Sequence, residues 1–219
     1  MIYLGENDLI NLHIGSQEIN RVLLGNKVIW ENVKAIDLGT GTTFDLSSYP
    51  NYADLTEDNF FFTTASQGKI TGYDASGLVY TNIGFDKTYD SSTGTLTMRT
   101  KVWSANTAYG SVHAYYVPNP SRLIYLGNGR YFNLSSYTGY QNFTEDNFLI
   151  KNAYGGSVGG IRDPLGWSCT VDIVKSYDQS NGSLRCVFFG EYLSSKSHSE
   201  TWSHATSNNC DVYLIKRGV

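Results

Sequence analysis

The chain has 219 residues, of which 41% are hydrophobic and only 16% charged, against roughly 25% charged in an average soluble domain. This balance excludes long helical bundles and coiled coils, and 16 basic against 20 acidic residues, a net charge of -4 with Lys and Arg scattered, argues against a nucleic-acid partner. Seventeen Tyr and 22 Gly among frequent Ser and Thr are the composition of short strands joined by turns, because aromatic and β-branched side chains suit a pleated surface and Gly supplies positive φ. The expected class is all-β.

The amino end, MIYLGENDLINL, lacks the basic stretch and apolar run of an export signal, and eighteen apolar residues never run together, so neither a secretion signal nor a membrane span is expected. Residues 1–34 read as a small β-meander. Ile10, Leu12 and Ile14 alternate, Gly15-Ser16-Gln17 is a turn, and two apolar segments around Ile19 to Leu24 and Val28 to Trp30 are separated by Gly25-Asn26-Lys27. A three-strand sheet has little core of its own, which makes this segment a candidate for docking onto another protein.

From residue 35 the chain is an internal duplication. LGTGTTFDLSSYPNYADLTEDNFFFTTA, beginning at Leu38, lies over LGNGRYFNLSSYTGYQNFTEDNFLIKNA, beginning at Leu126, with 15 of 28 pairs identical at an offset of 88. The same offset carries KTYDSSTGTL at Lys87 onto KSYDQSNGSL at Lys175. At the carboxyl ends Tyr115 matches Tyr213 at an offset of 98, so the second copy carries about ten extra residues between Cys186 and Cys210. Two copies are too few for a solenoid, so the expectation is two tandem homologous β-sandwich domains, residues 35–119 and 120–219, joined by Pro118-Asn119-Pro120. Each copy predicts a strand around Phe44, a helical turn at Thr56 to Asn59, a strand from Phe60, a hairpin turning at Asp90 to Gly94, and strands from Leu96 and Ser111.

Residues with chemical potential have structural explanations. Glu57-Asp58 and Glu145-Asp146 resemble paired acids, but their occurrence in both copies fits helical turns capped by Thr56 and Thr144 better than two metal or catalytic sites. His198, Glu200, His204 and Cys210 lack the spacing of a zinc motif, and His13 and His113 stand alone in sequence. Gly-rich residues 154–160 are not followed by the Lys-Ser/Thr of a phosphate loop and read as a flexible loop. Cys169, Cys186 and Cys210 are odd in number and read as reduced, buried thiols. No enzyme and no cofactor is expected. The extra segment, residues 194–209, reads as a polar surface loop in which Trp202, flanked by Ser199, Thr201, Ser203 and Asn208, offers a ring face and hydrogen bonds to a sugar. The alternative is that Trp202 plugs the core.

The amino-terminal pattern INLHIGSQEINRVLLGNKVIWE resembles the short sheet found in tail- and baseplate-associated proteins of phages and prophages. LGTGTTFDLSSY, TEDNF and the KTYD hairpin resemble repeated β domains of phage structural proteins. The resemblance implies a non-enzymatic virion component of the tail or another appendage, assembled in the host bacterial cytoplasm. It implies docking to other virion proteins through residues 1–34, homo-oligomerisation, and contact with cell-surface glycans in host attachment. The alternatives are a bacterial carbohydrate-binding or adhesin module and a capsid decoration protein.

Overall fold

The computed structural model describes the backbone of residues 12–14, 17–19, 21–24, 27–31, 34–66, 68–72, 77–104, 106–162, 166–196 and 200–215. Strands make up 65% of the protein, and the helical residues described are confined to five single 3-10 turns, so the chain is all-β. In chain order the strands are β1 (Leu12–Ile14), β2 (Gln17–Ile19), β3 (Arg21–Leu24), β4 (Lys27–Glu31), β5 (Ile36–Gly41), β6 (Thr43–Asp45), β7 (Phe60–Ala65), β8 (Gly68–Gly72), β9 (Gly77–Asp90), β10 (Thr95–Trp103) and β11 (Thr107–Tyr116). The second copy supplies β12 (Ile124–Gly129), β13 (Tyr131–Asn133), β14 (Phe148–Ala153), β15 (Gly156–Arg162), β16 (Trp167–Asp178), β17 (Ser183–Lys196), β18 (Glu200–Asn208) and β19 (Cys210–Leu214).

The amino-terminal segment forms two hairpins where the sequence suggests one meander. β2 pairs back onto β1 and β3 pairs forward onto β4, so the expected middle strand is divided between two partners, and a register shift between Val22 and Leu23 marks the second ladder.

In the duplicated region the same ladders recur with the same offsets. β6 pairs with β10 through Phe44 and Leu96, and β13 pairs with β17 through Phe132 and Leu184. β5 pairs with β11, and β12 with β19, each with a bulge at a positive-φ glycine, Gly39 at +81° and Gly127 at +122°. The hairpin turns close alike: Gly94 and Gly182 adopt φ of +71° and +73° and donate to the carbonyls of Asp90 and Asp178 at 2.8 and 2.9 Å. The TEDNF turns are capping devices, with the backbone N–H of Thr56 and of Thr144 donating to Oδ1 of Asn59 and Asn147 at 3.0 and 2.8 Å. The same asparagines clasp the chain beyond the last strand of each copy, Nδ2 donating to the carbonyls of Val117 and Ile215 at 3.1 and 3.0 Å.

The two copies do not close separately, although the sequence suggests two self-contained sandwiches. β8 of the first copy pairs with β16 of the second, Gly68 opposite Val171, and β15 of the second copy pairs with β9 of the first, Gly156 opposite Ile83. These registers are related by the 88-residue offset, so the exchange is reciprocal. At its centre Phe62 of β7 faces Ile150 of β14, and the Cys169 thiol meets the Thr81 hydroxyl. Both are pairs of equivalent residues, as a pseudo-two-fold axis requires. One hydrophobic core draws on both copies, from Phe44, Phe60 and Met98 to Phe148, Phe188 and Val212.

The glycines in the exchanged strands have a packing role. Gly72 at the end of β8 and Gly160 within β15 occupy equivalent places, where a Cβ would collide with the rings of Trp167 and Tyr192 respectively. Those rings stack at 5.7 Å between centroids with planes 8° apart, and Tyr192 is fully buried. Residues 156–160 are therefore strand, and the missing side chains make room for rings from neighbouring strands. Lys87 adds a second tie between the copies: its ammonium, pushed down to about 8 by burial with repulsion from Lys151 adding to the effect, donates to the Lys151 carbonyl at 3.0 Å and the Phe60 carbonyl at 3.4 Å.

Because the core and the ladders cross the repeat boundary, calorimetric unfolding of residues 34–215 is expected to follow one cooperative transition, with Trp103 and Trp167 fluorescence changing together. Gly160→Ala is expected to lower stability by about 1–3 kcal/mol through overpacking against Tyr192. Two separable transitions, one per copy, would contradict the shared core.

Candidate functional site

The sheet running β12-β19-β14-β7-β11, with β5 also on β11, buries one face in the shared core and turns the other outward. Alternation along the strands decides which residues appear there. Val112, Ala114 and Tyr116 of β11 face the core, as do Cys210, Val212 and Leu214 of β19, leaving His113, Tyr115, Asp211 and Tyr213 on the outer face. The middle of that face is covered by a smaller cluster of Phe61, Leu149, Val117, Leu123 and Ile215, the last three brought over the sheet beyond the strands.

To either side of this cluster lie two equivalent positions, and the copies fill them differently. In the first copy the His113 ring is held between Asp37, with Nε2 2.8 Å from Oδ1, and Thr40, with Oγ1 3.1 Å from Nδ1. In the second copy the counterparts of His113, Asp37 and Thr40 are Asp211, Tyr125 and Asn128. The acid has moved from the edge strand to the inner strand. Asp211 stands directly between Asn128 on β12 and Asn152 on β14. Its Oδ1 accepts from Asn128 Nδ2 at 2.9 Å and the Tyr125 hydroxyl at 3.2 Å; its Oδ2 accepts from the Tyr154 hydroxyl at 2.7 Å and Asn152 Nδ2 at 3.4 Å. Asn209 Nδ2 donates to Asn128 Oδ1 at 2.7 Å and completes the network.

Asp211 is only 8% exposed, whereas Tyr125 and Tyr154 are 53% and 47% exposed, so the carboxylate is a floor and the two rings are walls. Burial raises the Asp211 carboxyl, but the donors Asn128, Tyr154, Tyr125 and Asn152 together outweigh it and hold it below its ordinary value. Donation to Asp211, reinforced by burial, pushes the Tyr154 phenol up to about 12. Tyr125 is also raised, by burial first and then by the same carboxylate. The Tyr125 ring leans on Tyr213 at 4.9 Å, and Lys151, paired with Asp58 at 2.7 Å, lies 5.9 Å from the Tyr213 ring.

A second concavity, about 500 Å³, opens over β13, β17 and β16 and is lined by Tyr131, Asn133, Ser176, Asp178 and Arg185 among others. Tyr131 and Arg185 are cross-strand neighbours, and the first copy has Thr43 and Thr97 in their places.

The segment singled out from sequence belongs to the hairpin of β17 and β18. Residues 192–196 and 200–204 extend the hairpin of the second copy by five pairs beyond the point where the first copy's hairpin stops at Trp103 and Thr107, an added reach of about 17 Å. The expected surface loop is thus mostly strand. Trp202 sits in β18 opposite Ser194, but its side chain and those of Thr201 and Ser203 lie outside the described residues, as does Ser199 altogether. Asn208 is six positions from Trp202 on the same strand, about 20 Å along it, and packs against Gly156 at the base of the hairpin. His113 is not isolated, since Asp37 and Thr40 meet it. His198 lies outside the described residues, and Cys210 faces the core, where its thiol meets Cys186 and is pushed up by that contact and by burial. All three cysteines are free and buried.

Scanning protein-family models and searching curated proteins and solved structures returned no match.

The electrostatics of Asp211 predict a two-sided pH dependence. Its folded pKa is depressed, so its contribution is complete above the unfolded carboxyl value of about 3.9 and is lost as pH falls through the folded value. Tyr154 is raised above its unfolded value of 10.0 to about 12, so its contribution is complete below pH 10 and is lost as pH rises toward 12. Asp211→Asn is expected to flatten the acid limb of melting temperature against pH and to bring the Tyr154 phenolate titration, followed by ultraviolet absorbance, down toward its ordinary value. An unchanged alkaline titration would contradict the network.

Proposed function

We propose that this chain is a non-enzymatic structural component of a bacteriophage particle, carried on the tail or another appendage. Residues 1–34 dock it to neighbouring virion proteins, and the duplicated body, two homologous sandwich-like copies fused by strand exchange, presents its outer sheet face to glycans of the host surface. The chain acts as a homo-oligomer in the assembled particle.

The observation that carries the recognition half of this reading is the Asp211 face. The residues the copies share are turn glycines, capping asparagines, buried phenylalanines and the paired lysines, all engaged in holding the fold. The polar groups of the outer face differ between copies, and in the second they present ring faces and amides on an open surface, an arrangement suited to holding a ligand rather than enclosing one. The docking half rests on the likeness of the amino-terminal pattern to phage tail-associated sheets.

Immunogold labelling of purified particles is expected to place the chain on the tail or an appendage, and deletion of residues 1–34 is expected to reduce its incorporation below detection. The Asp211 face would equally serve a bacterial carbohydrate-binding or adhesin module. Absence from particles together with label on the bacterial surface would overturn the virion reading in favour of that one, and label over the capsid shell would make the chain a decoration protein.

A further inference from the structure

We propose that the Asp211 face is a binding site for a neutral pyranose ring, engaged through a vicinal diol. This rests on the glycan-contact reading above and names the chemistry of that contact.

The fold does not require this cluster, since the equivalent place in the first copy is satisfied by three residues, Asp37, Thr40 and His113. The second copy gathers residues from β12, β14 and the connection after β14, 57 to 86 positions from Asp211 in sequence, around one carboxylate. Four donors fill both oxygens of Asp211, and a carboxylate has about four lone-pair sites, so the acid is left with little to offer a cation directly. Its effect is to orient what surrounds it. Tyr125 and Tyr154 each spend their one hydroxyl proton on Asp211, which fixes both hydroxyl oxygens as acceptors toward a ligand. Asn128 and Asn152 spend one amide proton each on the carboxylate; the Asn128 amide also meets the Tyr154 hydroxyl, and Asn152 retains a proton for donation.

Phenol oxygens that accept and an amide that donates, gathered around one carboxylate, match adjacent hydroxyls, each of which donates once and accepts once. The half-exposed rings of Tyr125 and Tyr154 offer apolar faces to the C–H side of the sugar. The negative charge at the floor disfavours an acidic sugar, which would bring a second carboxylate close to the first. The concavity lined by Tyr131, Asp178 and Arg185 lies on another sheet and serves as the internal control.

The test uses the purified full chain, a panel of methyl pyranosides and neutral oligosaccharides, and sialyllactose as the acidic probe, read by saturation-transfer NMR with titration. At least one neutral sugar is expected to bind through its ring protons. Tyr125→Phe and Tyr154→Phe are each expected to weaken it by about tenfold, the effect of one hydrogen bond, while Tyr131→Phe leaves it unchanged. Melting curves establish that each variant is folded; should a tyrosine variant fail, Asn128→Ala on the exposed edge takes its place with the same expectation.

Three results would overturn the site: no binding across the neutral panel, binding of sialyllactose alone, or neutral binding that survives both Tyr125→Phe and Tyr154→Phe. Because the assay needs no particle, the two readings fail separately. Sugar binding by a chain absent from particles leaves the site standing and removes only the virion reading; a particle-borne chain that binds no neutral sugar removes only the site.

Discussion

The reciprocal pairing of β8 with β16 and of β15 with β9 is the constraint on which the rest of the structure depends. Neither copy keeps its own short strand. Each lends it to the long hairpin of the other, so separating the copies would expose two rows of backbone hydrogen-bonding groups and open the core along Phe62 and Ile150. The glycines follow from this arrangement. Each borrowed strand runs close beneath an aromatic ring, Gly72 under Trp167 of the host copy and Gly160 under Tyr192 of its own copy. Stacked, buried rings of this kind contribute about 0.5–1.5 kcal/mol beyond the area they bury, enough to favour one register over a slipped one.

With the core shared, the outer face of the central sheet is free to differ between the copies. The pseudo-symmetry fixes where a polar cluster can stand, between an edge strand and a central strand on either side of the apolar cover formed by Phe61, Leu149 and their neighbours. The first copy uses that place for a histidine bridged to an acid and a hydroxyl. The second uses it for an acid surrounded by phenols and amides. The second also lengthens its hairpin by five pairs, and it breaks the strand at Asn209 where the first copy runs β11 without interruption. That interruption separates β8, β13, β16, β17 and β18 as a sheet of five, whereas continuous β11 keeps their counterparts joined to the sheet of ten.

Local features were legible in the sequence because local chemistry decides them. Asp90 with Gly94 and Asp178 with Gly182 specify their turns, Thr56 and Asn59 their cap, and the offset of 88 predicts that both copies repeat these details. The exchange was not legible, for a physical reason: Ile83 and Val171 are equivalent residues in near-identical surroundings, so no pattern tells which of them Gly68 should face. Residues 154–160 suggested a flexible loop because a strand without side chains has no alternation to read, and the rings that fill its gaps come from elsewhere. The Asp211 site was hidden likewise. Its members are polar residues in three separate segments, and only the bulged ladders of β12 and β14 against β19 bring them together. What could have found it is the pairing of the copies at both offsets, which sets Asp211, Tyr125 and Asn128 against His113, Asp37 and Thr40. Trp202 drew attention because an inserted aromatic stands out in a polar run.

The exchange can be tested by backbone Overhauser contacts in the labelled chain. The account predicts cross-strand contacts between Ile70 and Cys169 and between Val158 and Thr81, the partners in the exchanged ladders. Contacts of Ile70 with Thr81 and of Val158 with Cys169, the same register closed within each copy, would contradict it.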